Sequence, residues 1–456
     1  MPKARRDYAA ALDYRRTLEE QDGGGIAEMQ LQKVREVWRD AVADVPYYER
    51  LVREGRAPHD IATWEDFRCV PELTREILQD HEHEFLRKSG PHDIKRLTGG
   101  STGSPVRFGV YHCEEEVIRL LKLVLWSRAG YEPGDRLFLI WGHSHLLGTG
   151  WRRYANHFRR KAKDAVLGYR RVDAYRMDRS RAEDYLEKLR KFSPAGLIGY
   201  STILDLLVRL LPDRRSELRD LALKFVMPAA ESAPKSDSFS LLAETFGCPV
   251  IQEFGGLDFG QVAMKFADEP FEVFAEYNFL EGAGSGEQEE QRPETRGQML
   301  EPRGEEALVT ALYRRYLPLL RYQQGDLLGG CRKLAHGHVA SFDRLEGRIN
   351  DMVALSDGSA VHCSAVLHCI RPESTVLNIQ MVLEDSGPKI LLVTSKGYDT
   401  AAESRIRQRL AQISPVLEDV PVELTEDVQT SRAGKRRWFV DKRTERSKVA
   451  STGVND

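Results

Sequence analysis

Residues 180–210 read SRAEDYLEKLRKFSPAGLIGYSTILDLLVRL, and their pattern decides the fold class. Ser180 followed by Glu183 has the form of a capping box. Behind it, Tyr185, Leu186, Leu189 and Phe192 form one apolar helix face. AGLIGY (195–200) then reads as a buried strand, and Ser201 or Thr202 opens a second helix. LKFVMPA (223–229) is the next strand candidate. A helix ending at Gly247 follows, and CPVIQEF (248–254) resumes as strand. Strands alternating with helices in this way predict an α/β domain with a largely parallel sheet, whose ligands bind beyond the carboxyl ends of the strands.

The same alternation extends over roughly residues 95–325. Residues 1–90 read instead as charged, mostly helical chain broken at Pro46, Pro58 and Pro71. EGAGSGEQEEQRPETRGQ (281–298) is too polar to pack and predicts a surface excursion. Past residue 350, MVALSDGSAVHC predicts a hairpin turning at Asp357-Gly358. IQMVLEDSGPKILLVTS adds two strands, and AAESRIRQRLAQI adds an amphipathic helix. The expected division is therefore a large unit over 1–349 and a small α+β unit over 350–456. No internal repeat of 20 to 50 residues stands out.

Composition narrows the function classes. The chain has 456 residues, 41% hydrophobic and 30% charged, with net charge −3. It has core enough for several layers and no global field toward nucleic acid or anionic membrane. The N-terminus lacks a signal-like apolar stretch, and the run Ile203–Val208 is far shorter than the ~20 residues that span a bilayer. A cytoplasmic protein is expected. Six cysteines without a CxxC pair are expected to be reduced and buried. His362-Cys363 and His368-Cys369 match no common zinc spacing, so core packing is the expected role.

Five short segments could carry chemistry. LTGGSTGSP (97–105) has converging glycines and hydroxyls suited to an anion, yet lacks the lysine of GxxxxGK[ST]; a plain surface turn is the alternative. In QEFGGLDFG (252–260), Phe254 offers a ring for a nucleobase and Asp258 a carboxylate for Mg²⁺, although a strand end and turn would read alike. In LLRYQQGDLL (319–328), Asp326 is placed to bind a ribose diol. LEGRINDMV (345–353) carries Arg348 near the expected unit boundary. TSRAGKRRWFV (430–440) carries Lys435 in a basic segment that reads equally as a solvated tail. Its cations interleave with Trp438 and Phe439, which also fits a nucleic-acid patch, but the near-neutral chain weighs against one.

As an ordered set, these segments resemble the adenylate-forming enzyme superfamily, and within it phenylacetate–CoA ligases and their capsule-biosynthesis relatives. DVPYYERL (44–51), VPELTREIL (70–78), TGGSTGSP, AAES (229–232) with FGCPVIQEFGGLDFG, and ALYRRYLPLLRYQQGD carry the likeness, which covers about residues 40–445. It implies a large N-terminal domain with mixed sheets flanked by helices and a small mobile α+β C-terminal domain. It implies a ligase that activates an aromatic carboxylate with MgATP as acyl-AMP, releases pyrophosphate, and passes the acyl group to coenzyme A. Gly100, Ser101, Thr102 and Gly103 would wrap the β- and γ-phosphates. Glu231, Ser232 and Gly255 would border the adenine, Phe254 would stack on it, Asp326 would bind the ribose and Arg348 the ribose or phosphate. Asp258 would help hold Mg²⁺. Lys435 would bridge carboxylate and α-phosphate oxygens, delivered by rotation of the small domain. IWGHSHLLGTG (140–150) resembles the acyl-pocket segment, so Trp141, His143, His145 and Gly256 would line the substrate; a buried histidine bonded to backbone is the alternative for either His. A dimer is common among these relatives. Ser104 stands where many of them have lysine, Asp258 where glutamate is usual, and Asn350 where the hinge usually has aspartate. An amine acceptor, activation of an oxyanion such as nitrite, and a degraded nucleotide-binding scaffold are the other readings.

Overall fold

Asp178, not Ser180, caps the first helix of the deciding segment: its carboxylate accepts from the Arg181 backbone N–H, and the helix runs Arg179–Phe192. Asp178 is extended, so its side chain folds back onto the third helical N–H, whereas Ser180 already lies inside the first turn. Glu183 instead pairs with Arg179 at 3.1 Å. In the computed structural model the described residues are 2–20, 23–90, 93–97, 107–141, 160–174, 176–230, 233, 237–283, 305–346, 352–355, 357, 360–362, 366, 369–370, 372–373, 375–426 and 439–443.

The chain divides into two units. One is built from 1–98, 106–133 and 249–348; the other from 99–105, 134–248 and 349–456.

In the first unit, Pro46 at the first position of the Pro46–Arg53 helix fits a site that needs no backbone donor. That helix buries Tyr47, Tyr48 and Leu51, and the Tyr48 hydroxyl donates to the Pro318 carbonyl at 2.6 Å. Thr63 and Asp66 form a capping box on Trp64–Arg68, and Thr74 caps Arg75–Asp80. Two sheets share the core. In one, Leu73–Thr74 runs parallel to Tyr322–Gly329, followed by Glu305–Ala311 and Asn278–Ala283, with Arg344–Glu346 also paired to Tyr322–Gly329. The other orders Arg332–Lys333, Val339–Phe342, Phe271–Val273, Gly260–Phe266 and Ile251–Gly256, all antiparallel. Trp38, Phe67, Phe254, Phe279, Tyr322 and Phe342 lie in one apolar cluster between these elements.

The second unit holds the parallel sheet. Its strands are ordered Tyr169–Val172, Leu137–Ile140, Gly196–Tyr200 and Phe225–Ala229, and the last three are buried throughout. Gly196 is required there: a Cβ would stand 2.4 Å from the Phe225 ring. Gly247, left-handed at φ 64°, ends the Ser238–Phe246 helix as the sequence indicates. CPVIQEF departs from expectation, because Ile251–Gly256 pairs antiparallel with Gly260–Phe266 in the other unit. The parallel sheet thus has four strands, and the remaining large sheets are antiparallel or mixed.

The hairpin expected at Asp357-Gly358 forms between Met352–Ala354 and Ala360–His362, and the second of these strands also pairs with Arg176–Met177. The sheet after it orders Val422–Leu424, Gly387–Thr394, Val376–Glu384 and Phe439–Asp441. Asp399 caps the helix Thr400–Ala411, whose Ile406 and Leu410 join Met381, Ile390 and Leu392 in a separate core. The α/β class is observed: several sheets, mixed in direction, with flanking helices. Cys248 and Cys369 are buried and Cys331 half-buried, but Cys69 and Cys113 are exposed, against the expectation that the thiols are buried. No helix among the described residues is long and apolar enough to cross a membrane.

Candidate functional site

FGGLDFG folds as the tight end of a hairpin. Gly256 pairs with Gly260 and Gly255 with Gln261, so Leu257, Asp258 and Phe259 make the turn. A Cβ on Gly255 would lie 2.4 Å from the Gly260 carbonyl oxygen, and one on Gly256 would lie 2.3 Å from the Phe259 ring. The backbone at both positions therefore approaches its neighbours as only glycine allows. Leu257 is 56% exposed while Asp258 is 7% exposed. The turn thus points its apolar residue outward and tucks its carboxylate in.

That carboxylate meets the second sequence block. The buried Tyr322 hydroxyl donates to Oδ2 of Asp258 at 3.1 Å. Tyr322 opens the Tyr322–Gly329 strand, on which Asp326 lies half-buried. Glu306 pairs with Leu327 but Leu308 with Gln323, so residues 324–326 oppose Ala307 alone. Gly325, at φ 90°, supplies the left-handed residue of this bulge, which re-aims the chain at Asp326.

Immediately before it, Arg321 holds a left-handed φ of 49° and is tied down on all sides. Its guanidinium bonds Glu281 at 3.2 Å, the Arg68 and Val70 carbonyls at 2.9 and 2.8 Å, and Glu72 at 3.4 Å. Strain of this kind persists only where surrounding contacts over-determine it. Burial raises the Glu281 carboxyl above its ordinary range, partly offset by Arg321. This clasp fastens VPELTREIL to the Asp326 strand, and neither it nor Tyr322 was expected as part of a site.

Phe254 packs into the core, 3% exposed, with Phe259 at 6.2 Å and the edge of Phe342 at 5.8 Å between centroids. Most of its ring surface is engaged by protein. Beneath the turn lies a second buried group that the sequence reading missed. Arg314 donates to the Leu257 carbonyl at 2.9 Å and pairs with Glu114 at 3.4 Å, both residues 1% exposed.

In the other unit, Trp141 follows the strand Leu137–Ile140 and stacks at a tilt on Tyr200, ring centroids 4.6 Å apart. Tyr200 ends Gly196–Tyr200, so both rings stand at the carboxyl end of the parallel sheet, where such sheets take ligands. Ala230, which follows the neighbouring strand Phe225–Ala229, carries a left-handed φ of 66°.

Among the described residues, the structure therefore joins Phe254, Gly255, Gly256 and Asp258 to the strand of Asp326, and places Trp141 beside Tyr200. Gly100, Ser101, Thr102, Gly103, His143, His145, Glu231, Ser232, Arg348 and Lys435 lie outside the described residues. Among those described, no group of three or more His, Cys, Asp or Glu side chains is placed to hold a metal by itself.

No protein-family model matches the chain. Protein CapK of Staphylococcus aureus is 22% identical over 369 residues, 79% of this chain and 76% of CapK. Two solved structures of 2-hydroxyisobutyryl-CoA ligase are similar in fold. One, holding 2-HIB-AMP and CoA in the thioesterification state, gives a TM-score of 0.57 at 18% identity, covering 94% of this chain and 93% of the ligase. The other, in the postadenylation state with R3-HIB-AMP, gives 0.54 at 17% identity over 93% and 91%. Over nearly its whole length, this chain has the fold of that CoA ligase.

Proposed function

We propose that this protein is an AMP-forming ligase: a carboxylate and MgATP give acyl-AMP and pyrophosphate, and coenzyme A then takes the acyl group. The observation that carries the proposal is the Tyr322–Asp258 hydrogen bond. It joins the segment read as the adenine and Mg²⁺ block to the segment read as the ribose block. The fold shared with a ligase holding acyl-AMP and CoA supports the same reading.

In this reading Gly255 borders the adenine, Gly256 lines the acyl substrate, and Asp326 takes the ribose hydroxyls. Asp258 fits a magnesium ion by donor type: it is a carboxylate, and among the described residues only Oδ2 has a hydrogen-bond partner, leaving Oδ1 for a hard cation. Bound there, Mg²⁺ would neutralise the phosphate charge that builds as pyrophosphate departs. Residues 100–103 would hold the departing phosphates, and Lys435 would neutralise the α-phosphate and carboxylate oxygens. Trp141 and Tyr200 would form an aromatic wall suited to an aryl acid. Residues 350–456 would form a small domain of their own that carries Lys435.

The test is a pyrophosphate-release screen over aryl, amino-aryl and aliphatic acids and nitrite, each with and without coenzyme A. Release with an aryl acid, turning over fastest with coenzyme A, is expected. Absence of release with every acid, despite ATP binding, would sink the proposal, and stimulation by an amine instead of the thiol would reassign the acceptor.

A further inference from the structure

Asp258 is the middle residue of a three-residue turn between the exposed Leu257 and the buried Phe259, so the turn has an apolar anchor on one side only. The Asp258 carboxylate is fixed in direction only if the backbone on the exposed side is held as well. Both flanking carbonyls are held, and by adjacent residues. Arg314 donates from Nη2 to the Leu257 carbonyl at 2.9 Å, and the Tyr313 hydroxyl reaches the Phe259 carbonyl at 3.4 Å. Tyr322 then fixes Oδ2 of the carboxylate itself.

The grip is built into its surroundings. Gly260 adopts φ +84°, and a Cβ there would fall 1.7 Å from the Tyr313 hydroxyl, so Tyr313 reaches the turn only over a glycine. Arg314 is buried, and its charge is met by Glu114 at 3.4 Å. Glu114 in turn accepts from the Tyr111 N–H at 3.1 Å and the Tyr316 N–H at 2.9 Å, and also from the Arg315 N–H. The guanidinium is thus immobilised from the first turn of the His112–Arg128 helix. A buried cation is expensive, and filling space alone would be served as well by an apolar side chain. What this one adds is direction: two donors, Nη1 to Glu114 and Nη2 to the turn.

We propose that Tyr313 and Arg314 are positioning residues that clamp the 257–259 turn and thereby aim the Asp258 carboxylate at a nucleotide-bound divalent cation; this rests on the ligase reading above. Residues that orient a metal ligand typically change metal affinity or activity by about 10- to 100-fold when altered.

The experiment uses Mn²⁺ as a paramagnetic probe. Free and bound Mn²⁺ are counted by electron paramagnetic resonance in full-length protein with the non-hydrolysable analogue α,β-methylene-ATP. Thermal unfolding and analogue binding in EDTA are measured alongside. Tyr313→Phe and Arg314→Lys should stay folded at the assay temperature, although less stable than wild type, and bind the metal-free analogue unchanged, yet need roughly tenfold more Mn²⁺. In an Asp258→Asn background neither should add to the loss already present. Wild-type Mn²⁺ affinity in Tyr313→Phe, or an effect in that background as large as in wild type, would overturn the clamp and leave the ligase reading standing. Failure of the wild-type protein to bind Mn²⁺ with the analogue would overturn both. If Arg314→Lys does not fold, Tyr313→Phe decides alone.

Discussion

The Tyr322 hydroxyl donates to Oδ2 of Asp258 at 3.1 Å, closing a link between residues 64 positions apart in the chain. With the Phe259 ring, which packs on Tyr322 at 6.2 Å between centroids, it ties the GGLDFG turn to the strand that carries Asp326. Tyr322→Phe keeps the ring in the core and removes only the donor. It should lower stability by about 1 kcal/mol in urea unfolding, the usual net worth of one hydrogen bond. A loss of several kcal/mol would mean the hydroxyl supports more than this contact.

Gly255 and Gly256 give a sharper prediction. Alanine at Gly255 places a Cβ 2.4 Å from backbone, which cannot turn aside, whereas at Gly256 the obstacles are side chains, the Phe259 ring at 2.3 Å and Oδ1 of Asp258 at 2.6 Å. Gly255→Ala should therefore destabilise the hairpin more than Gly256→Ala, by about 1–3 kcal/mol for strain of this type. Equal melting of the two variants would show that the hairpin spreads to accept either side chain.

The buried Glu114–Arg314 pair should be asymmetric to mutation. Removing Glu114 alone, as Glu114→Ala, leaves a buried cation unmatched and should cost about 3–5 kcal/mol. Replacing both, as Glu114→Leu with Arg314→Met, should be milder than the sum of the single losses. A double-mutant cycle by chemical denaturation measures this, and strict additivity would show that the pair is not coupled.

His338 predicts a pH dependence of stability. Its ring is fully buried, and its Nδ1 accepts the Leu280 N–H at 3.2 Å. Desolvation, with His336 nearby, pushes its pKa down from 6.5 to about 3. The native ring stays neutral while the unfolded one takes up a proton as pH falls through 6.5. Its contribution is therefore complete above pH 6.5 and is lost progressively below it, by up to about 1.4 kcal/mol per pH unit until pH approaches 3. His338→Gln, which keeps an acceptor for Leu280, should lose less stability than wild type between pH 7 and pH 5. Parallel curves would show that His338 is not the titrating group.

What could be read from the sequence follows from what apolar spacing encodes. AGLIGY and LKFVMPA are legible because parallel strands covered on both faces are apolar without interruption. CPVIQEF opens on a similar apolar run before Gln252 and Glu253, but spacing carries no record of partner direction, and its partner arrives only after the GGLDFG turn. Asp178 and Ser180 both suit a helix cap, and only the backbone angles of the finished chain separate them. Asp258 and Asp326 are nameable as acidic residues in glycine-containing segments, although Asp326 lies at a bulge inside its strand and not at its end. Tyr322 lies inside one of those segments yet reads as an ordinary core tyrosine. Glu114 and Arg314 stand 200 residues apart, and no local pattern announces that they meet.

An AMP-forming ligase, as proposed above, must form an acyl-adenylate. Protein incubated with MgATP and an aryl acid, without coenzyme A, is quenched and analysed by mass spectrometry for acyl-AMP, with Lys435→Ala and Asp258→Ala in parallel. Acyl-AMP in equimolar amount with released pyrophosphate, sharply reduced in both variants, is the predicted result. ATP binding without acyl-AMP from any acid in the screen, or adenylate formation unaffected by loss of both Lys435 and Asp258, would contradict it.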